Sequence, residues 1–229
     1  MKKLIFTILI LLASYSQSEC QNNESTVSNK KVVVFRGWAL DLNQLKLIGI
    51  NDYTKKEIVW DVDNEPSYWG DKNTKRIERG DFIPVKSKDS IINYIKIEEI
   101  IAKDVIYGYQ ISSWDITKKI KQWTFSDTLH GIAACGKVIL CDQKLYIASF
   151  DFISTGSGLV CLNQNTGTPV WNAKVTQMLV DHSEYSNDIF LNKIDDLIIL
   201  VGDEAGGKYI QVFNAKTGEN IFTEMKKYW

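Results

Sequence analysis

Four units of this chain each place an Asp or Asn eight positions before an aromatic residue, and no other feature restricts the fold as much. The pairs are Asp52 and Trp60, Asp115 and Trp123, Asn163 and Trp171, and Asn214 and Phe222. Each pair closes the same kind of unit: an apolar run, a turn, then a second run that carries the aromatic. The units read IGINDYTKKEIVW, QISSWDITKKIKQW, GLVCLNQNTGTPVW and YIQVFNAKTGENIF. An Asp or Asn side chain accepts hydrogen bonds from backbone N–H groups of its own turn. Gly167 and Gly218 fall four residues after the Asx, where a tight hairpin commonly requires φ > 0. Lys56 and Lys119 take that place in the first two units, so those turns are expected to be looser or to hold a lysine in the left-handed region. The terminal aromatic is expected on the outermost strand of its unit, wedged against the next one.

The rest of the chain supports a repeat of strands. After residue 30, short apolar runs recur at close spacing, split by Gly, Asn, Asp and Lys; examples are KVVVFRG, DVIYGYQI, KLYIASFD and DLIILVG. A repeat of roughly 50 residues holding four such runs is the period of a propeller blade, whereas a sandwich needs no fixed period. The expected fold is therefore all-β, a small propeller of about four blades, each of up to four antiparallel strands, over residues 31–229. A short helix is expected near residues 86–92, and the charged stretch 64–80 reads as an insertion that lengthens the first gap. Abundant aromatics (seven Trp, ten Tyr) and only three Pro agree with strands.

The amino terminus reads as an export signal. Lys2 and Lys3 precede an apolar run over residues 4–13, which is too short for a bilayer span of about 20 residues. Small polar residues follow, as at a signal-peptidase site. Residues 1–19 are assigned to the signal and residues 20–30 to a flexible polar tether. Cys20 lies where a bacterial lipoprotein carries its lipid, although Gln17 and Glu19 depart from that pattern; lipid anchoring at Cys20 and plain secretion both stay open. Cys135, Cys141 and Cys161 match no zinc spacing. In an oxidising compartment Cys135 and Cys141 are the expected pair, against the alternative of small residues packed among strands. A net charge of −1 gives no basic field to recruit nucleic acid.

The units resemble the tryptophan-docking repeat of quinoprotein-like (PQQ-type) β-propellers, A-x-D-x-x-T-G-x-x-x-W. CLNQNTGTPVW matches at Thr166, Gly167 and Trp171, and VFNAKTGENIF at Thr217 and Gly218; Asn163 and Asn214 stand for Asp, and Phe222 for Trp. The first two units keep only Asp and Trp. In that family the motif staples blades together and does not bind the quinone. The resemblance therefore implies structural roles for Asp52, Asp115, Asn163, Asn214 and the two glycines, and docking roles for Trp60, Trp123, Trp171 and Phe222. Members that oxidise alcohols with pyrroloquinoline quinone have about eight blades and often an adjacent cysteine pair, which is absent here. No calcium-ligand cluster is recognisable in the sequence.

No cofactor and no catalytic residue are expected; PQQ and calcium belong to the alternative of a divergent or partial quinoprotein dehydrogenase. The superfamily includes lipoproteins that scaffold outer-membrane assembly. The resemblance thus implies an exported binding or scaffold protein of the envelope, whose partner is a protein or small ligand of unknown identity. A further alternative is half of a larger ring completed by a homodimer. Other clusters read as structure. DHSEYSND (181–188) holds a single His and reads as a solvated loop, and GDEAGGK (202–208) lacks the end of a phosphate loop and reads as a hairpin. Trp38, Trp69, Trp114 and Trp229 fall outside the repeat, and Trp229 is expected to close the ring against the first blade.

Overall fold

The computed structural model describes residues 31–49, 56–65, 82–87, 90–102, 105–127, 133–151, 157–175, 186–204 and 207–228. Four four-stranded sheets make a small β-propeller. Blade I holds β1 (Lys31–Phe35), β2 (Trp38–Asp41), β3 (Lys46–Ile48) and β4 (Glu57–Asp61), followed by a 3-10 turn at Val62–Asn64. Blade II holds β5 (Phe82–Ser87), β6 (Ser90–Ala102), β7 (Val105–Asp115) and β8 (Ile120–Asp127). Blade III holds β9 (Ala133–Cys141), β10 (Lys144–Asp151), β11 (Ser157–Asn163) and β12 (Pro169–Val175). Blade IV holds β13 (Ser186–Ile194), β14 (Leu197–Glu204), β15 (Gly207–Asn214) and β16 (Asn220–Lys227). In blades II, III and IV the strands pair in chain order and antiparallel.

Side chains alternate across a strand, so each inner strand serves two neighbours. In β15, Tyr209 and Phe213 join the apolar cluster between blades III and IV, whereas Ile210 and Val212 join the one between blades IV and I. In β10, Tyr146 and Ala148 face blade IV, whereas Leu145 and Ile147 face blade II. Each buried aliphatic side chain of this set contributes about 1.5–3 kcal/mol. These clusters connect the blades in the order II, III, IV, I; among the described residues no cluster joins I to II. Gly202 serves the close packing within blade IV. A Cβ there would lie 2.0 Å from Cζ of Tyr209, the residue paired with it across the sheet. Gly202→Ala is expected to displace that ring and destabilise the fold by about 1–3 kcal/mol, read as a lower midpoint in thermal unfolding.

Blade I departs from the expected unit. Its order is β3-β2-β1-β4, so β3 and β4 are not neighbours and do not form the Asp52–Trp60 hairpin. Asp52 itself lies outside the described residues. Aligned on the Asx hairpin of the other blades, β4 takes the place that β5, β9 and β13 fill elsewhere, but it runs parallel to β1, with a register shift between Val32 and Val33. Trp60 is therefore not on an outermost strand. It packs into the cluster shared by blades IV and I, and its Nε1 donates to Glu65 Oε1 at 2.9 Å.

Two other expectations are settled by position. The helix near 86–92 does not form: β5 runs to Ser87 and β6 starts at Ser90, because Ile91 and Ile92 continue a strand paired with β5. Residues 202–204 and 207–208 belong to the β14–β15 hairpin, with Glu204 paired to Gly207. Trp69, Trp229, the insertion from residue 66 to 80 and residues 181–185 lie outside the described residues.

Candidate functional site

The four Asx turns gather at one face of the propeller. Asn163 Oδ1 accepts from the amides of Asn165 (2.9 Å) and Thr166 (3.2 Å), and Asn214 Oδ1 from those of Lys216 (2.9 Å) and Thr217 (3.2 Å). Asp115 Oδ1 accepts from Lys118 N at 2.8 Å. In blade I the same turn is built on Asp41, whose Oδ1 accepts from Asn43 N (2.9 Å) and Gln44 N (3.1 Å). Four residues after each Asx the chain has positive φ: Leu45 (47°), Lys119 (56°), Gly167 (68°) and Gly218 (75°). Lys119 is thus the left-handed lysine anticipated from the sequence. Lys56 is not a turn residue; it pairs with the Asp41 turn.

Each glycine seats the aromatic of the preceding blade. A Cβ on Gly167 would lie 2.3 Å from Cε3 of Trp123, and one on Gly218 would lie 2.5 Å from Cε3 of Trp171. The indole N–H completes the dock. Trp123 Nε1 donates to Gln164 O at 2.9 Å, and Trp171 Nε1 donates to Ala215 O at 3.1 Å. Tyr146 tilts against Trp171 with ring centroids 5.9 Å apart. Phe222 of blade IV shares an apolar cluster with Leu45 of the Asp41 turn. Three junctions therefore carry an aromatic: II on III, III on IV, and IV on I. Eight residues after Asp41 stands Gly49, so blade I offers no aromatic in turn.

Asp41 is fully buried, and Lys56 Nζ reaches its Oδ2 at 2.7 Å with a side chain only 13% exposed. Burial opposes the Asp41 charge, but the hydrogen bonds from Lys56, Gln44 and Asn43 outweigh it and hold the carboxyl below its ordinary value. Neighbouring contacts tie the same face together. Lys31 N donates to Asn43 Oδ1 at 3.2 Å, and Lys31 Nζ meets Asp195 Oδ2 of the β13–β14 turn at 2.6 Å. Lys193 Nζ meets Asp142 Oδ2 of the β9–β10 turn at 2.7 Å.

The opposite end of the I–IV junction holds a second charged group that the repeat did not announce. Arg36, in the left-handed region at φ 42°, makes an ion pair with Asp203, which is 4% exposed. Tyr228 donates its hydroxyl to Asp203 at 2.7 Å, and Arg36 N donates to Asp63 Oδ1 at 2.7 Å. Lys208 Nζ donates to the Arg36 carbonyl and sits 4.4 Å from the centroid of the Trp38 ring. Burial, then the charge of Lys226, lowers the Lys208 pKa. This clasp joins residues up to 192 positions apart, from Arg36 to Tyr228, and no local pattern marks it. Trp114, by contrast, is local to its own blade: it stacks on Tyr94 and donates Nε1 to Ser112 Oγ at 2.9 Å.

Cys135 and Cys141 do not pair. Both stand on β9, six residues apart, which separates their Cα atoms by about 20 Å when a disulfide needs less than about 7 Å. Cys141 is disulfide-bonded to a partner outside the described side chains. Cys161 is a buried free thiol whose pKa burial pushes up to about 11, so it is inert at neutral pH. Cys20 lies outside the described residues. Among the described residues no group of three or more His, Cys, Asp or Glu side chains is placed to hold a metal ion.

No family model matches the sequence, and no curated protein matches it. Solved structures do match by fold. The quinohemoprotein alcohol dehydrogenase from Comamonas testosteroni is 15% identical over 66% of this chain, with a TM-score of 0.43. This chain covers 22% of that enzyme's length. BamB from Moraxella catarrhalis is 12% identical, with 88% of this chain and 78% of BamB covered and a TM-score of 0.30.

Proposed function

We propose that this chain is an exported, non-enzymatic propeller that binds a protein or small ligand through its loops and acts as a scaffold at the cell envelope. One observation carries the reading: the side chains that the repeat places most regularly are committed to holding blades. The oxygens of Asn163 and Asn214 are satisfied by their own turns, and the indole N–H groups of Trp123 and Trp171 by the next blade. What remains is a set of packed blades presenting loops, which is how propellers bind. The basic, apolar leader of residues 1–19 supports export. So does the disulfide at Cys141, since disulfides persist in oxidising compartments.

Mass spectrometry of the mature amino terminus tests the location: removal of residues 1–19 is expected, and a mature chain that retains them removes export. The activity is tested by reconstitution with pyrroloquinoline quinone and calcium, followed by dye-linked oxidation of primary alcohols and aldoses. No turnover above the protein-free control is expected. Sustained, quinone-dependent dye reduction overturns the scaffold reading in favour of a quinoprotein dehydrogenase.

A further inference from the structure

Blade II carries an apolar patch at its Asx-turn end that no apolar cluster among the described residues takes up. Ile91 and Ile92 open β6, and Ile116 and Ile120 flank the Asp115 turn; their exposures are 50%, 44%, 40% and 52%. The four belong to one surface, because Ile116 N donates to Ile92 O at 3.3 Å and Asp115 pairs with Ile120 across the β7–β8 hairpin. Exposed aliphatic residues grouped in this way mark an interaction site. The surrounding charge is positive: Lys86, Lys118, Lys119 and Lys121 are exposed, and Asp115 is held 3.8 Å from Lys118.

We infer that this end of blade II rests on an anionic lipid surface, with the isoleucines entering the headgroup boundary and the lysines meeting lipid phosphates. The composition favours a bilayer over a protein partner. Protein interfaces concentrate Trp, Tyr and Arg and are depleted in Lys. This patch presents aliphatic tips within a lysine rim, the combination that binds anionic membranes through apolar insertion and charge attraction.

The direction of the chain agrees. Lys31 enters β1 on the same face, bonded through its amide to the Asp41 turn, so residues 1–30, with Cys20 among them, join the propeller on the side that carries the patch. Trp123 over Gly167, Trp171 over Gly218, and Lys31 with Asp195 show that the Asx-turn ends of all four blades lie together. The inference rests on export to an envelope, but not on lipidation of Cys20.

The test compares the mature chain with two double variants, Ile116→Ser with Ile120→Ser and Lys118→Glu with Lys121→Glu. All three are co-sedimented with vesicles of phosphatidylcholine alone and of phosphatidylcholine mixed with phosphatidylglycerol. The readout is the ratio of binding to anionic over neutral vesicles, which a lipid on Cys20 does not itself raise. The ratio is expected to be high for the unmodified chain, to fall with added salt, and to drop about tenfold or more in the lysine variant, while the isoleucine variant loses binding to the anionic vesicles by a similar factor. These side chains are exposed, so the thermal midpoints of the variants are expected to match the parent, and a variant that fails this check is replaced by the single change Ile120→Ser. A ratio near one in the parent, a ratio unchanged by the lysine pair, or anionic-vesicle binding unchanged by the isoleucine pair overturns the inference. So does light scattering that shows the patch holding two copies together, with the isoleucine variant monomeric. Each of these results leaves the location read from the amino terminus untouched.

Discussion

Gly218→Ala is expected to destabilise the propeller by about 2–4 kcal/mol, and most of that loss is expected to vanish when Trp171 is already alanine. Two costs combine at Gly218. Its φ of +75° places any L-residue in the left-handed region, which costs about 1–2 kcal/mol. The added methyl also meets Trp171, whose Cε3 and Cδ2 would lie 2.5 and 2.6 Å from it, and pushing a packed ring aside costs about 1–3 kcal/mol. Trp171→Ala alone is expected to cost about 3–5 kcal/mol, because it removes a ring 9% exposed and leaves the Ala215 carbonyl without its indole donor. In the double variant the methyl has no ring to strike, so only the backbone cost remains. Urea midpoints for the four proteins of the cycle give the coupling directly. A Gly218→Ala cost that is the same with and without Trp171 would mean that the ring is not what requires glycine there. Neither substitution is expected to abolish a ligand site selectively.

The sequence was most informative where a single local rule is written out in full. Asn163 with Gly167 and Trp171, and Asn214 with Gly218, carry turn acceptor, left-handed glycine and aromatic in one short segment, so the hairpin and its neighbour contact are both legible. Asp115 shows that glycine is not obligatory, since Lys119 takes φ 56° in the same place. Blade I was misread because its true turn, ALDLNQLKL around Asp41, ends at Gly49 and lacks the aromatic that made the others visible. The Asp52–Trp60 spacing that stood in for it is incidental: β4 pairs with β1 in parallel, a contact closed over more than 20 residues that no period records. Pairings between distant segments escaped for the same reason. The Arg36, Asp203, Lys208 and Tyr228 clasp depends on blade IV meeting blade I, and each residue alone looks like an ordinary charged or polar turn residue. The cysteines teach the converse. Closeness in sequence suggested Cys135 with Cys141, yet on one extended strand closeness in sequence guarantees separation.

Blade I also provides the second large effect. Asp41→Ala is expected to destabilise the fold by about 3–5 kcal/mol, because it leaves the Lys56 ammonium mostly buried with no counter-charge and strips the acceptor from the Asn43 and Gln44 amides. Asp41→Asn separates these roles, since Asn serves the same turn in blades III and IV. It is expected to cost less than alanine, and the remaining loss is the charge pair. Adding Lys56→Met to Asp41→Asn is expected to recover most of that loss, as apolar replacement of a buried pair often does. Acid provides an independent reading. The folded-state pKa of Asp41 lies below its ordinary value of 3.8, so the carboxylate's contribution is complete above the unfolded value. It is then lost as pH falls through the folded one. Between about pH 5 and pH 2, the urea midpoint of the parent is therefore expected to fall more steeply than that of the Asp41→Asn, Lys56→Met double variant. Parallel pH profiles for the two proteins would show that the Asp41–Lys56 pair does not hold the first blade's turn as a charged unit.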